Sequence, residues 1–107
     1  MHRPLEWKDI GPLTDIPVQG ARRVEHREGR IAVFRTIDDQ VFALRDECPH
    51  KKGPLSEGIV HGHAVTCPLH NWVIDLATGY ATGPDEGCTG RIPARLVDGR
   101  VQLGLVV

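Results

Sequence analysis

The residues best suited to chemistry in this chain are two short Cys/His pairs. Cys48-Pro49-His50 and Cys67-Pro68-Leu69-His70 stand sixteen residues apart, giving the arrangement C-x-H-x16-C-x2-H. Thiolate and imidazole together suit a soft or borderline metal such as zinc or iron. One Cys-x-His alone would carry little weight, because most lone cysteines are buried small hydrophobes. Two such pairs, each with Pro after the Cys, in a chain with only three Cys, make metal ligation the expected chemistry. Zinc with two sulfur and two nitrogen ligands is one solution. A zinc finger, however, usually groups its Cys on one hairpin and its His on a helix, whereas here each pair mixes the two. The mixture is accounted for if two metal ions sit side by side, one taking the two Cys and the other the two His.

These pairs must be positioned by strands and turns. Apolar-alternating runs bounded by turn residues are predicted at Glu6–Ile10, Ala21–Glu25, Arg30–Ile37, Gln40–Arg45, Gly58–His61, His63–Thr66, Asn71–Asp75, Ile92–Val97 and Arg100–Leu105. Asp38-Asp39, His61-Gly62 and Asp98-Gly99 read as hairpin turns, the last a strong type I′ signal. No window sustains a 3.6-residue apolar period, because Gly or Pro interrupts every candidate helix. Strands recurring every 8 to 12 residues imply an all-β sandwich or barrel. Each Cys/His pair follows a strand, and the hairpin Ile59 to Thr66 between them would bring the two loops side by side. Trp7, Phe34 and Phe42 read as core, and Trp72 as packing beneath the second loop.

Composition narrows the rest. At 107 residues and 11.8 kDa the chain is expected to be one domain, residues 1–107. Its 12 Gly and 8 Pro exceed the average share of about 12% and indicate many turns. A net charge of −1, from 13 Lys/Arg and 14 Asp/Glu, offers no basic field for nucleic acid or an anionic membrane. No apolar run approaches the roughly 20 residues of a membrane span, and no secretory leader is visible, so a soluble cytoplasmic protein is expected. Three cysteines exclude a complete disulfide framework. Cys88 has no disulfide partner to spare and reads as a packing or interface residue. His61 and His63 read as surface residues of a hairpin tip, and His2 and His26 belong to no constellation. Lys51, Lys52, Asp85 and Glu86 read as solvated loop residues, with the lysines a possible contact for acidic groups on a partner. There is no Ser-His-Asp grouping and no nucleotide-binding Gly-rich loop.

The two loops, Cys48 to Pro54 and Cys67 to Trp72, resemble those of the Rieske 2Fe-2S ferredoxin family, in which His replaces Cys on one iron of the cluster. The resemblance implies an antiparallel β framework with a small cluster-binding subdomain inserted between strands, its loops spanning about 46–74. It implies that Cys48 and Cys67 hold the buried iron and His50 and His70 the outer one. Gly83-Pro84 resembles the family's Pro-containing loop that covers the cluster, here about 83–88. Cys48-Pro-His-Lys-Lys-Gly-Pro-Leu-Ser-Glu-Gly58, Gly83-Pro-Asp-Glu-Gly-Cys88 and the opening Trp7-Lys-Asp-Ile-Gly-Pro-Leu-Thr-Asp-Ile-Pro17 are most similar to the small subunit of assimilatory NAD(P)H nitrite reductase. That resemblance implies an electron-transfer subunit, not catalytic alone, whose large partner carries FAD, an iron–sulfur cluster and siroheme and reduces nitrite to ammonia. A stand-alone ferredoxin feeding an aromatic-ring oxygenase would use the same ligands. The resemblance also places Gly53 and Leu69 where respiratory Rieske proteins carry an extra disulfide. Trp72 and Ile74 stand where those proteins place hydroxyl donors to the cluster. Missing donors imply a midpoint at the low end of the Rieske range of about −150 to +300 mV.

Overall fold

The structure, a computed structural model, describes residues 5–26, 29–47, 54–68, 71–82 and 87–106. Ten strands follow in chain order: β1 Leu5–Pro12, β2 Gly20–His26, β3 Gly29–Arg35, β4 Val41–Arg45, β5 Ile59–His61, β6 Ala64–Thr66, β7 Val73–Asp75, β8 Arg91–Ile92, β9 Ala94–Val97 and β10 Arg100–Val106. Single 3-10 turns at Leu13–Asp15 and Leu55–Glu57 are the only helical segments among the described residues. The all-β expectation holds.

The strands form three antiparallel sheets, ordered β1-β10-β9, β2-β3-β4-β8 and β5-β6-β7. β3 explains how they stack. Its sequence Ile31-Ala-Val-Phe34 is an unbroken apolar run, the pattern of a strand covered on both faces. Ile31 and Val33 point into a core with Ile16, Ala43, Val101, Leu103 and Leu105. Ala32 and Phe34 point the opposite way, into a core with Leu44, Leu55, Val65, Cys67 and Ile74. The four-stranded sheet is therefore the middle layer, with β1-β10-β9 on one face and the small β5-β6-β7 sheet on the other.

The small sheet lies between β4 and β8 in sequence, yet those two strands pair directly, Ala43 with Ile92 and Leu44 with Arg91. The inserted cluster-binding subdomain expected from the resemblance is thus a feature of the fold.

Three local outcomes differ from expectation, each for a physical reason. The run Ile92–Val97 is two strands, because Pro93 has no N–H to donate and the chain changes sheets there. Asn71–Asp75 contributes only Val73–Asp75 as strand, since Asn71 has φ +56° and makes a turn. Trp7 is not core: it pairs with Gly104, which faces away from Leu103 and Leu105. It remains 42% exposed, with the Arg95 guanidinium 4.0 Å from its ring centroid. Phe34 is fully buried and Phe42 partly so. The turns at Asp38-Asp39 and Asp98-Gly99 form as expected, with positive φ at Asp39, Asp98 and Gly99.

Candidate metal centre

Of the four expected ligands, Cys67 lies among the described residues; Cys48, His50 and His70 lie outside them, as do Lys51, Lys52, Gly53, Leu69 and Gly83 to Glu86. Cys67 follows β6 directly and is fully buried in the apolar core on the cluster side. Its N–H donates to the Trp72 carbonyl at 2.7 Å, which joins the two ends of the six-residue segment expected to form the second ligand loop. Trp72 packs partly buried on the same core as Cys67, as the sequence led one to expect. Ile74, fully buried, presents no hydroxyl there.

The first ligand loop is closed differently. Asp46 directly follows β4 and Ser56 sits in the 3-10 turn beyond the loop. Asp46 is buried, and one carboxylate oxygen accepts the Ser56 N–H at 2.7 Å. The other accepts the Ser56 hydroxyl at 2.7 Å and Arg23 Nε at 3.0 Å. The Asp46 N–H in turn donates to the Arg30 carbonyl on β3. Among the described residues no buried side-chain nitrogen or oxygen lacks a hydrogen-bond partner, the Asp46 carboxylate included.

The residues flanking the expected covering loop are tied together as well. Ala81 N–H donates to the Gly87 carbonyl at 2.8 Å, and Thr82 N–H to the Val73 carbonyl at 2.9 Å. The preceding turn is tight because Gly79 adopts φ +80°, and a Cβ there would stand 2.6 Å from the Thr89 carbonyl oxygen.

Residues at the boundaries of all three loops therefore share one core: Leu55, Cys67, Trp72 and Ala81 all pack into it. A buried thiol in an apolar setting, at the edge of a loop rich in Cys and His, fits a 2Fe-2S cluster kept from water. The donor set of two thiols and two imidazoles matches the mixed ligation of that cluster.

The remaining sequence candidates resolve as surface features. His61 Nε2 lies 2.7 Å from Thr66 Oγ1. His63 Nε2 lies 3.1 Å from both Asp38 oxygens, with its ring 5.3 Å from that of Phe42. Among the described residues no three His, Cys, Asp or Glu gather to hold a metal. Cys88 is exposed and bridges to Tyr80 through backbone, so it packs in no core. No described helix is long and apolar enough to cross a membrane. Asp46 was not legible as a site residue. Its only sequence signal is an acid two residues before the first Cys with a Ser just beyond the loop.

Comparison with known proteins agrees with this geometry. The sequence model of the Rieske [2Fe-2S] domain matches residues 6–93. The anthranilate 1,2-dioxygenase ferredoxin subunit of Burkholderia cepacia is 38% identical over 102 residues, covering 94% of this chain and 93% of that protein. Among solved structures, a chain from the complex of reduced oxygenase and oxidized ferredoxin in carbazole 1,9a-dioxygenase is 27% identical. It aligns over 92% of both chains with a TM-score of 0.80. The Escherichia coli NirD protein is 29% identical, with a TM-score of 0.81 over 94% of this chain and 96% of that one. With its three-sheet fold, its buried thiol and these matches, the chain belongs to the Rieske [2Fe-2S] domain family and is an electron-transfer ferredoxin with a 2Fe-2S cluster as cofactor.

Proposed function

We propose that this protein is the ferredoxin of an aromatic-ring or similar oxygenase, delivering electrons one at a time to a larger partner. The observation that carries this reading is the 38% identity to a dioxygenase ferredoxin across nearly the full length of both chains. Cys48 and Cys67 hold one iron, and His50 and His70 hold the other. When bound, the cluster supplies a site that takes up and releases a single electron.

The chain's own residues give that site its setting. Burial of Cys67 among apolar side chains keeps water from its sulfur, and Trp72 covers the neighbouring surface. No charged or hydroxyl side chain is contributed at Ile74, which favours a midpoint toward the low end for Rieske centres, about −150 to +300 mV overall. The described boundaries of the three loops rest on the core around Cys67, and Val101 and Leu103 belong to the separate core on the other face of the middle sheet. A partner received on the Cys67 side therefore leaves that second core undisturbed.

A second reading has its own support. NirD proteins are nitrite reductase small subunits, and the likeness to one of them is as good as that to the carbazole ferredoxin. The motif Gly83-Pro-Asp-Glu-Gly-Cys88 also favours this reading. In it the chain is the electron-transfer subunit beside a large subunit carrying FAD, an iron–sulfur cluster and siroheme. Motif resemblance ranks nitrite reductase first; identity over the whole chain reverses the order.

Stopped-flow reoxidation separates the two. The reduced protein is mixed without oxygen with the terminal oxygenase component, and separately with the nitrite reductase large subunit, from the same organism. Rapid reoxidation by the oxygenase component is the expected result. Rapid reoxidation by the large subunit alone would establish the second reading, and indifference to both would remove both partners.

A further inference from the structure

We propose that Asp46, though it is no ligand, is a positioning residue that sets the first ligand loop and thereby governs how firmly the cluster is retained. The proposal rests on the assignment of Cys48 and His50 as ligands, since those two residues lie between Asp46 and Ser56 in sequence. The geometry is that of a clamp. A single carboxylate captures both the N–H and the hydroxyl of Ser56, each at 2.7 Å. Its own N–H is tied to Arg30 of the middle sheet. Asp46 thus joins the start of the loop to its end through its side chain and to β3 through its backbone.

Two features make the clamp stiff. Asp46 is 3% exposed, so water cannot readily substitute for a lost partner. Arg23, on β2, supplies the opposite charge at 3.0 Å, so the carboxylate is compensated and held from a third strand. The neighbouring Leu55 is fully buried in the core that also receives Cys67. Displacement at Ser56 is therefore transmitted toward the second ligand loop as well. By comparison, the ends of the second loop are joined through backbone, Cys67 N–H donating to the Trp72 carbonyl. The first loop is longer, nine residues between Asp46 and Ser56, and among the described residues the Asp46 carboxylate joins its two ends.

The test uses the cluster-loaded full chain and its Asp46→Ala, Asp46→Asn and Ser56→Ala variants. Iron release to a chelator is followed by loss of visible absorbance, well below the melting temperature. The electron paramagnetic resonance spectrum of the reduced form is recorded alongside. Asp46→Ala should release iron at least tenfold faster and show a broadened or shifted spectrum, while its far-ultraviolet circular dichroism stays that of the strands. Ser56→Ala, which keeps the N–H partner, should release iron a few-fold faster. Asp46→Asn, which retains an acceptor for that N–H, should fall between Asp46→Ala and the unmodified protein. A loaded Asp46→Ala chain with unmodified release and spectrum overturns the proposal, even if its melting temperature falls. Should Asp46→Ala fail to fold, unchanged release and spectrum in Ser56→Ala overturn it equally. An unmodified chain that takes up no iron and sulfide would instead overturn the ligand assignment, and the clamp with it, a result distinct from a loaded chain indifferent to Asp46.

Discussion

The two faces of the middle sheet are built on different principles. On the face toward Val101 and Leu103, long strands pair over many residues: seven partners join β1 to β10, from Leu5 with Val106 to Pro12 with Arg100. On the face toward Cys67, the strands β5, β6 and β7 meet in ladders of three partners each. There the connecting loops are closed by individual bonds, such as Asp46 to Ser56 and Cys67 to Trp72. A long ladder distributes stability over many equivalent hydrogen bonds, whereas a short one with long loops depends on a few contacts and on its cofactor. The lesson is that the base is suited to stand alone, while the cluster side is completed by its metal.

Adjacent positions on β3 and its neighbours allow this comparison to be broken. Phe34→Ala, fully buried on the cluster side, should destabilise the loaded protein by about 3–5 kcal/mol and speed iron loss. Leu103→Ala, fully buried on the base side, should destabilise by about 2–5 kcal/mol with little effect on iron release at low temperature. Denaturant unfolding together with chelator kinetics checks both. Equal release rates in the two variants would erase the distinction between the faces.

Removing the cluster sharpens it. Cys67→Ser should bleach the protein and lower its melting temperature. Ligation across the interval of about 20 residues from Cys48 to Cys67 acts as a cross-link worth on the order of 3 kcal/mol. At about 4–8 °C per kcal/mol for a domain of this size, the drop should be roughly 12–24 °C by calorimetry. An unchanged melt would mean that both faces hold without metal.

A backbone substitution on the cluster side should come next. Gly79→Ala forces a side chain onto φ +80° and a Cβ to within 2.6 Å of the Thr89 carbonyl, at a cost of about 1–3 kcal/mol. The matching change in the base turn, Gly99→Ala, meets no atom within 4 Å and retains only the strain of φ +76°. Thermal melts of the pair should show the larger loss at Gly79.

The smallest effect joins the two faces. Asp38, in the β3–β4 turn, accepts a hydrogen bond from the Thr36 hydroxyl and faces His63 of the small sheet. First the Thr36 bond and then His63 hold its carboxyl below the usual aspartate value. A carboxylate lowered in the folded state contributes stability above its unfolded pKa. That contribution is lost as pH falls through the folded value. Asp38→Asn should therefore melt slightly lower than the unmodified protein near pH 6, and the two curves should converge as pH falls through the lowered folded value of Asp38. Because the pair is exposed, the difference should be slight.

Much of this architecture is legible in the sequence. The strand within Arg30–Ile37 and the hairpin at Asp98-Gly99 are both expected from sequence, because both depend on neighbours in the chain. Trp7 was misread as core for a matching reason. Its face of β1 is decided by its partner Gly104, which lies almost a hundred residues away. Asp46 went unnoticed because a buried carboxylate is recognised by its partners, and Arg23 and Ser56 lie 23 and 10 residues distant.

By itself the sequence determined the all-β class, the short hairpins and the Cys/His donor set, since strand alternation, turn residues and metal preference are properties of local side chains. Only the tertiary structure decided that the middle sheet is covered on both faces, that the boundaries of three separate loops rest on one core, and that Asp46 closes the first of them. Those outcomes depend on which distant strands pair and which side chains lose water together. They are set by the whole chain's burial, which no short segment of sequence contains.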